Sequence, residues 1–167
     1  MSDFKPIHRD AIPPALEKAE RYRLLNEPAQ AESICLDILQ VEPTHQRALV
    51  MLLLALSDQL QGGSGDSFRQ AEEVVARLAS EYDRLYYSGI LWERRGYALA
   101  VRGGPGSAAV ACARVHRAMA FYEQAERLRP SDNDDAILRW NSCVRLCQRF
   151  HLRPEPGEVF PPGMGED

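Results

Sequence analysis

The side chains best suited to chemistry cluster in the last third of the chain. Cys112 and His116 stand four apart, and Cys143, Cys147 and His151 repeat that spacing. On two antiparallel helices Cys112 could lie opposite His151 and His116 opposite Cys147, giving two thiolates and two imidazoles for tetrahedral zinc. Against this, the apolar stripe Ala118, Tyr122 and Ala125 defines an inward face from which Cys112 and His116 point roughly 100° or more away, toward solvent. Cys143 and Cys147 share a face with Ile137 and Trp140 and read as small core residues. The spacing also matches no common zinc signature.

Other chemistries find less. No cysteine sits in a nucleophile motif with a positioned base. The segments Gly62-Gly63-Ser64-Gly65-Asp66 and Gly103-Gly104-Pro105-Gly106 lack both the lysine and the preceding strand of a phosphate loop, so they read as turns. Glu72-Glu73 and Asp134-Asp135 are adjacent pairs whose members face different directions on a helix. The expectation is therefore a protein that is not an enzyme and carries no cofactor or metal.

The elements that would position these residues are helices. The chain of 167 residues, 45% hydrophobic, is long enough for one domain with a continuous core. A formal charge of -4 and a pI near 5.6 argue against a general nucleic-acid binder. The longest apolar run, Ala48–Leu56, is shorter than the roughly 20 residues of a membrane span, and the first ten residues carry charges and a proline where a secretory signal would be apolar. A cytoplasmic protein with reduced thiols and no membrane contact is expected.

Residues 1–12 show no sustained periodicity. From 13 to 152 the apolar spacing is helical throughout. A helix is expected from about Pro14 to Leu25, a second from Pro28 to Val41, and a third from a Thr44 cap to Leu60, apolar nearly all round and so central. A fourth begins near Ser67, and a long pair follows, from Arg84 to the glycine break and from Ser107 to Leu128. A last helix, capped by Ser131 or Asp132, runs to Phe150. Residues 153–167 are rich in proline and glycine, which predicts an extended or disordered tail.

The most specific pattern lies between Trp92 and Pro130. Trp92, Gly96 and Leu99 fall on one helix, and Ala118, Tyr122, Ala125 and Pro130 follow on the next. Ala31, Cys35, Ile38 and Pro43 repeat the latter spacing. Small residues at Gly96, Ala118 and Ala125 remove bulk where helices approach, and Gly89, seven before Gly96, adds to the close contact. The arrangement resembles the tetratricopeptide repeat (TPR). That resemblance implies an all-α fold, a right-handed α-solenoid of about three helical hairpins closed by a C-terminal capping helix. The third hairpin exceeds the family's repeat of about 34 residues and would project.

The resemblance also implies a function. In the family the first helix of each hairpin lines a concave surface that holds a protein or peptide segment. Carried over, that surface takes Arg47, Glu93, Arg94, Tyr97, Asn141 and Arg145. Arginine's planar fork suits carboxylates, although Glu17 and Glu20 stand where a chaperone-tail clamp would be basic. The expected role is an adaptor or scaffold for a protein or peptide partner. Self-association into a homo-oligomer is the second reading, and a metal or redox protein built on the Cys and His residues the third.

Overall fold

The structure is a computed structural model, which describes residues 3–62 and 65–154. Among them are seven α-helices and no strand: α1 (Ile12–Leu24), α2 (Pro28–Val41), α3 (Gln46–Asp58), α4 (Gly65–Val75), α5 (Glu81–Arg102), α6 (Ser107–Leu128) and α7 (Asp135–Arg149), with 3-10 turns at Arg9–Ala11 and Gln59–Gly62. The all-helical expectation holds. None of the described helices is long and apolar enough to cross a membrane.

Local chemistry explains the helix ends. Pro13 and Pro14 sit in the first turn of α1, where a missing N–H costs nothing. Its exit is a left-handed turn at Asn26 (φ 60°), with the Asn26 N–H donating to the Arg23 carbonyl at 3.0 Å and the Glu27 N–H to that of Tyr22 at 2.8 Å. α7 ends the same way. His151 (φ 51°) takes the left-handed position, its N–H donates to the Gln148 carbonyl, and the Leu152 N–H donates to that of Cys147 at 3.0 Å. Two expected caps are corrected. α3 is capped by His45, whose Nδ1 accepts from the Ala48 N–H at 3.2 Å, because Thr44 lies one residue too early. At α7 the side chain of Asn133 accepts from the Asp135 N–H at 2.9 Å, and neither Ser131 nor Asp132 caps. α5 starts earlier than the pattern predicts, because Ser80 caps it by accepting from the Asp83 N–H.

Each helix packs on the next along the chain, and alternate helices also touch: α1 on α3, α3 on α5, α5 on α7. The most extensive pair is α5 with α6. Two apolar clusters result. One joins α1 to α4 with Leu91, the other joins α5, α6 and α7, and Leu54, Tyr87 and Trp92 pack against both. α3 is central as expected, burying Ala48, Leu49, Leu52, Leu53, Ala55 and Leu56. Trp92 meets Phe68 of α4 edge to face, ring centroids 5.2 Å apart, while the Arg117 guanidinium of α6 lies 3.9 Å from its ring centroid.

Several groups in this core must remain neutral. Burial pushes the Cys35 thiol up to about 12, the opposing pull of Arg23 being smaller. Burial, then the neighbouring Asp83 charge, pushes the Tyr87 hydroxyl up to about 12. Cys143 and Tyr122 are raised as well, first by burial and then by Glu93. A folded-state pKa above the unfolded one contributes stability that is complete below the unfolded value and is lost as pH rises toward the folded value. Unfolding free energy should therefore hold steady to about pH 9 and then fall, each group adding a slope of up to about 1.4 kcal/mol per pH unit. Urea titrations at pH 8, 10 and 11 measure this. A constant midpoint would show that these groups ionise as freely in the folded chain as in the unfolded one.

Candidate functional site

Four alternate helices deliver side chains to one cavity of about 560 Å³. α1 supplies Arg23 and Leu24, with Asn26 just after it. α3 supplies Ser57 and Asp58, α5 supplies Glu93, Arg94 and Tyr97, and α7 supplies Ser142, Arg145, Leu146 and Arg149, with Phe150 at its end. The short left-handed turn at Asn26 and the cap at His151 fix where the outer two helices stop, and thus the two ends of the wall.

The cavity's charges are in two states. Asp58 is held between two arginines, accepting from Arg23 Nε at 2.7 Å and pairing with Arg94. Arg94 also donates to the Ser57 hydroxyl and to the Leu54 carbonyl, the latter at 3.2 Å. Burial lowers its pKa, a pull that Asp58 opposes. Glu93 is buried, 7% exposed, and accepts from the Tyr122 hydroxyl at 2.5 Å and from Arg139 Nη1 at 3.3 Å. Burial pulls the Arg139 pKa down, but Glu93, a hydrogen bond to Tyr86 and the nearby Tyr122 together outweigh it, and the guanidinium is held above its usual value. These four groups, Asp58, Arg94, Glu93 and Arg139, are thus committed to joining helices. Arg145 and Arg149 are different. Both are exposed, one helical turn apart on α7, and neither makes an ion pair among the described residues.

Of the six residues expected at a concave surface, Glu93, Arg94, Tyr97 and Arg145 line the cavity. Arg47 is exposed on α3 and Asn141 half-buried on α7, and neither belongs to the cavity wall. Glu93 and Arg94 sit where expected but spend their charge inside the fold. Arg23, Asp58, Arg149 and Phe150 were not anticipated. Arg149 carried a signal, its spacing of four from Arg145. Asp58 carried none, because its role depends on arginines of two other helices. Tyr97 packs edge to face on Phe150, centroids 5.9 Å apart, forming an aromatic flank beside the two unpaired arginines.

The metal reading is corrected in one respect. Cys112 does not face solvent; it is fully buried among α5, α6 and α7. The reason is that α6 is covered by α5 and α7 together, so its inward face is wider than the stripe through Ala118, Tyr122 and Ala125. His116 Nδ1 lies 2.9 Å from the Cys112 carbonyl oxygen and 3.3 Å from its Sγ. His151 is exposed at the end of α7, where its backbone makes the left-handed turn. Among the described residues no three His, Cys, Asp or Glu side chains come together as metal ligands. Cys35, Cys143 and Cys147 have thiols raised by burial, the opposite of an activated nucleophile.

No family model matches the chain, and no curated protein or solved structure matches it.

Proposed function

We propose that the chain is a protein-interaction module of the tetratricopeptide kind, a right-handed α-solenoid of about three hairpins and a closing helix, binding an extended acidic segment of a partner protein in the α1/α3/α5/α7 groove. One observation carries the reading. The helices that would open successive hairpins, and the closing helix, all send side chains to the same cavity, where Asp58, Arg23 and Arg94 pair with one another and two arginines on α7 make no ion pair among the described residues. Arg145 and Arg149 supply charge for carboxylates, while Tyr97, Leu146, Phe150 and Leu24 supply apolar contact. Affinity would come from hydrogen-bonded charge pairs on a preformed surface. The module acts as an adaptor or scaffold in the cytoplasm and performs no catalysis.

The test is an affinity capture comparing the wild type with an Arg145→Glu/Arg149→Glu variant. Both positions are exposed and unpaired, so the variant should keep the wild-type circular dichroism spectrum and melting temperature. Partner recovery is expected to fall by about 10-fold or more, since a charge-assisted hydrogen bond contributes about 1.5–3 kcal/mol. Equal recovery of the same partners by both would remove the groove as the binding surface. Arg94 is the wrong residue to change for this purpose, because reversing it would set a second carboxylate against Asp58, leave Arg23 as the remaining partner and disturb α1, α3 and α5 together.

A further inference from the structure

The groove lies beside the point where the chain leaves α7. Phe150 is part of its wall, His151 turns the backbone, and Leu152 is buried against the α5/α6/α7 cluster. Leu152 therefore anchors the exit, and Pro154, the last described residue, follows Phe150 by four positions in the chain. Residues 155–167, Glu-Pro-Gly-Glu-Val-Phe-Pro-Pro-Gly-Met-Gly-Glu-Asp, lie outside the described residues. Their composition complements the wall. Glu155, Glu158, Glu166 and Asp167 bring four carboxylates with no basic side chain, and Val159 and Phe160 are apolar. The wall offers two unpaired arginines beside the Tyr97 and Phe150 rings.

Length fits as well. At about 3.3 Å per residue an extended segment of this size reaches about 40 Å. The four groove-lining helices, with about 8–10 Å between neighbouring axes, span about 30 Å. Tethering also makes weak contacts sufficient, because a short link within one chain gives an effective concentration on the order of 1 mM.

We infer that residues 155–167 occupy the groove of their own chain, with Glu158 at Arg145 and Arg149 and Phe160 against Tyr97 and Phe150, so that a partner's acidic segment binds by displacing them. This inference rests on the groove reading above and adds its regulation. The tail is a competitor with the same chemistry as the ligand, and partner affinity is set by the difference between the two.

The direct test is photo-cross-linking in the full chain, with p-benzoylphenylalanine introduced in place of Phe160. The expected products are monomeric, with links to residues 23–26, 57–58, 94–97 or 142–150, and they disappear when Arg145→Glu/Arg149→Glu is added. Links to other surfaces, no links, or links found only in dimer-sized species would overturn the inference. A second readout uses the synthetic peptide of residues 155–167 as probe. For a peptide dissociation constant of about 100 µM, a full chain carrying Glu158→Lys/Phe160→Ala should bind it about 10-fold more tightly than the wild type, because the wild-type groove is already filled. Equal binding to both chains would overturn the inference.

Failure of the tail and failure of the groove are separable. If the cross-links miss the groove while Arg145→Glu/Arg149→Glu still abolishes partner capture, the tail inference falls and the groove reading stands. If the cross-links map to the groove while partner capture is unchanged, the tail contact stands and the groove is not the partner site.

Discussion

Replacing Glu93 by alanine is expected to lower the unfolding free energy by about 3 kcal/mol, the low end of the range for breaking a buried ion pair. Glu93 is the point where α5, α6 and α7 meet electrostatically. Its two oxygens accept from the Tyr122 hydroxyl and from Arg139. Tyr122 is fully buried, so without the carboxylate its hydroxyl loses its acceptor in a place where water does not reach. The Arg139 side chain is 37% exposed and can turn partly to solvent, which keeps the loss from reaching the upper end. Glu93→Gln keeps an acceptor for Tyr122 and removes only the charge, so it should cost less than alanine. Urea unfolding followed by circular dichroism measures both. In a chain of this size the alanine variant should melt about 6–12 °C lower. If the alanine and glutamine variants were equally stable, the Tyr122 hydroxyl would not depend on an acceptor at Glu93, and the bridge would be incidental to the packing of α5 on α6.

Substituting Gly89 should also destabilise the fold, for a steric reason. A Cβ there would stand 2.7 Å from Tyr122 Cδ1 and 2.9 Å from Cζ, and closer still to Cε1. The ring cannot retreat, since it is enclosed on all sides and its hydroxyl is tied to Glu93. Alanine gains about 1 kcal/mol of helix propensity over glycine, against an overpacking cost of about 1–3 kcal/mol. Gly89→Ala should therefore destabilise by up to about 2 kcal/mol. Gly89→Val adds two methyl groups to the same clash, and its branched side chain gains less propensity, so the expected loss is about 3 kcal/mol or more. At Gly96 one atom, Val115 Cγ2, would stand under 3.0 Å, at 2.7 Å, with the Ala111 carbonyl oxygen and the Val115 backbone nitrogen at 3.3 Å, against three ring atoms under 3.0 Å at Gly89. Gly96→Ala should accordingly cost less than Gly89→Ala. Parallel thermal melts order the three variants, and the reverse order at the two glycines would show that α5 can shift away from α6 near Tyr122.

Both expectations concern residues whose faces were legible and whose partners were not. Ala118, Tyr122 and Ala125, and likewise Ala31, Cys35 and Ile38, are all fully buried, as their spacing predicts. A helix turns by a fixed angle per residue, so residues three and four apart share a face wherever the helix is placed. The same regularity marked Gly89 and Gly96 as sites of close approach, and put Glu93, Arg94, Tyr97 and Arg145 on surfaces that the structure brings to one cavity.

What a side chain meets on its face depends on other helices. Arg94 was read as a charge offered to a ligand, yet Asp58, 36 residues earlier, neutralises it. Glu93 is claimed from 29 and 46 residues away, by Tyr122 and Arg139. The stripe through Ala118, Tyr122 and Ala125 directs Cys112 toward solvent, but α5 and α7 both pack on α6 and Cys112 joins the buried cluster among them. By itself the sequence determined that the chain is helical and that the stripes Ala31, Cys35, Ile38 and Ala118, Tyr122, Ala125 turn inward, because these follow from the geometry of a single helix. Only the tertiary structure decided which charges are consumed in holding helices together and which, Arg145 and Arg149, make no ion pair among the described residues, because pairing is set by distances of a few ångströms between segments far apart in the chain.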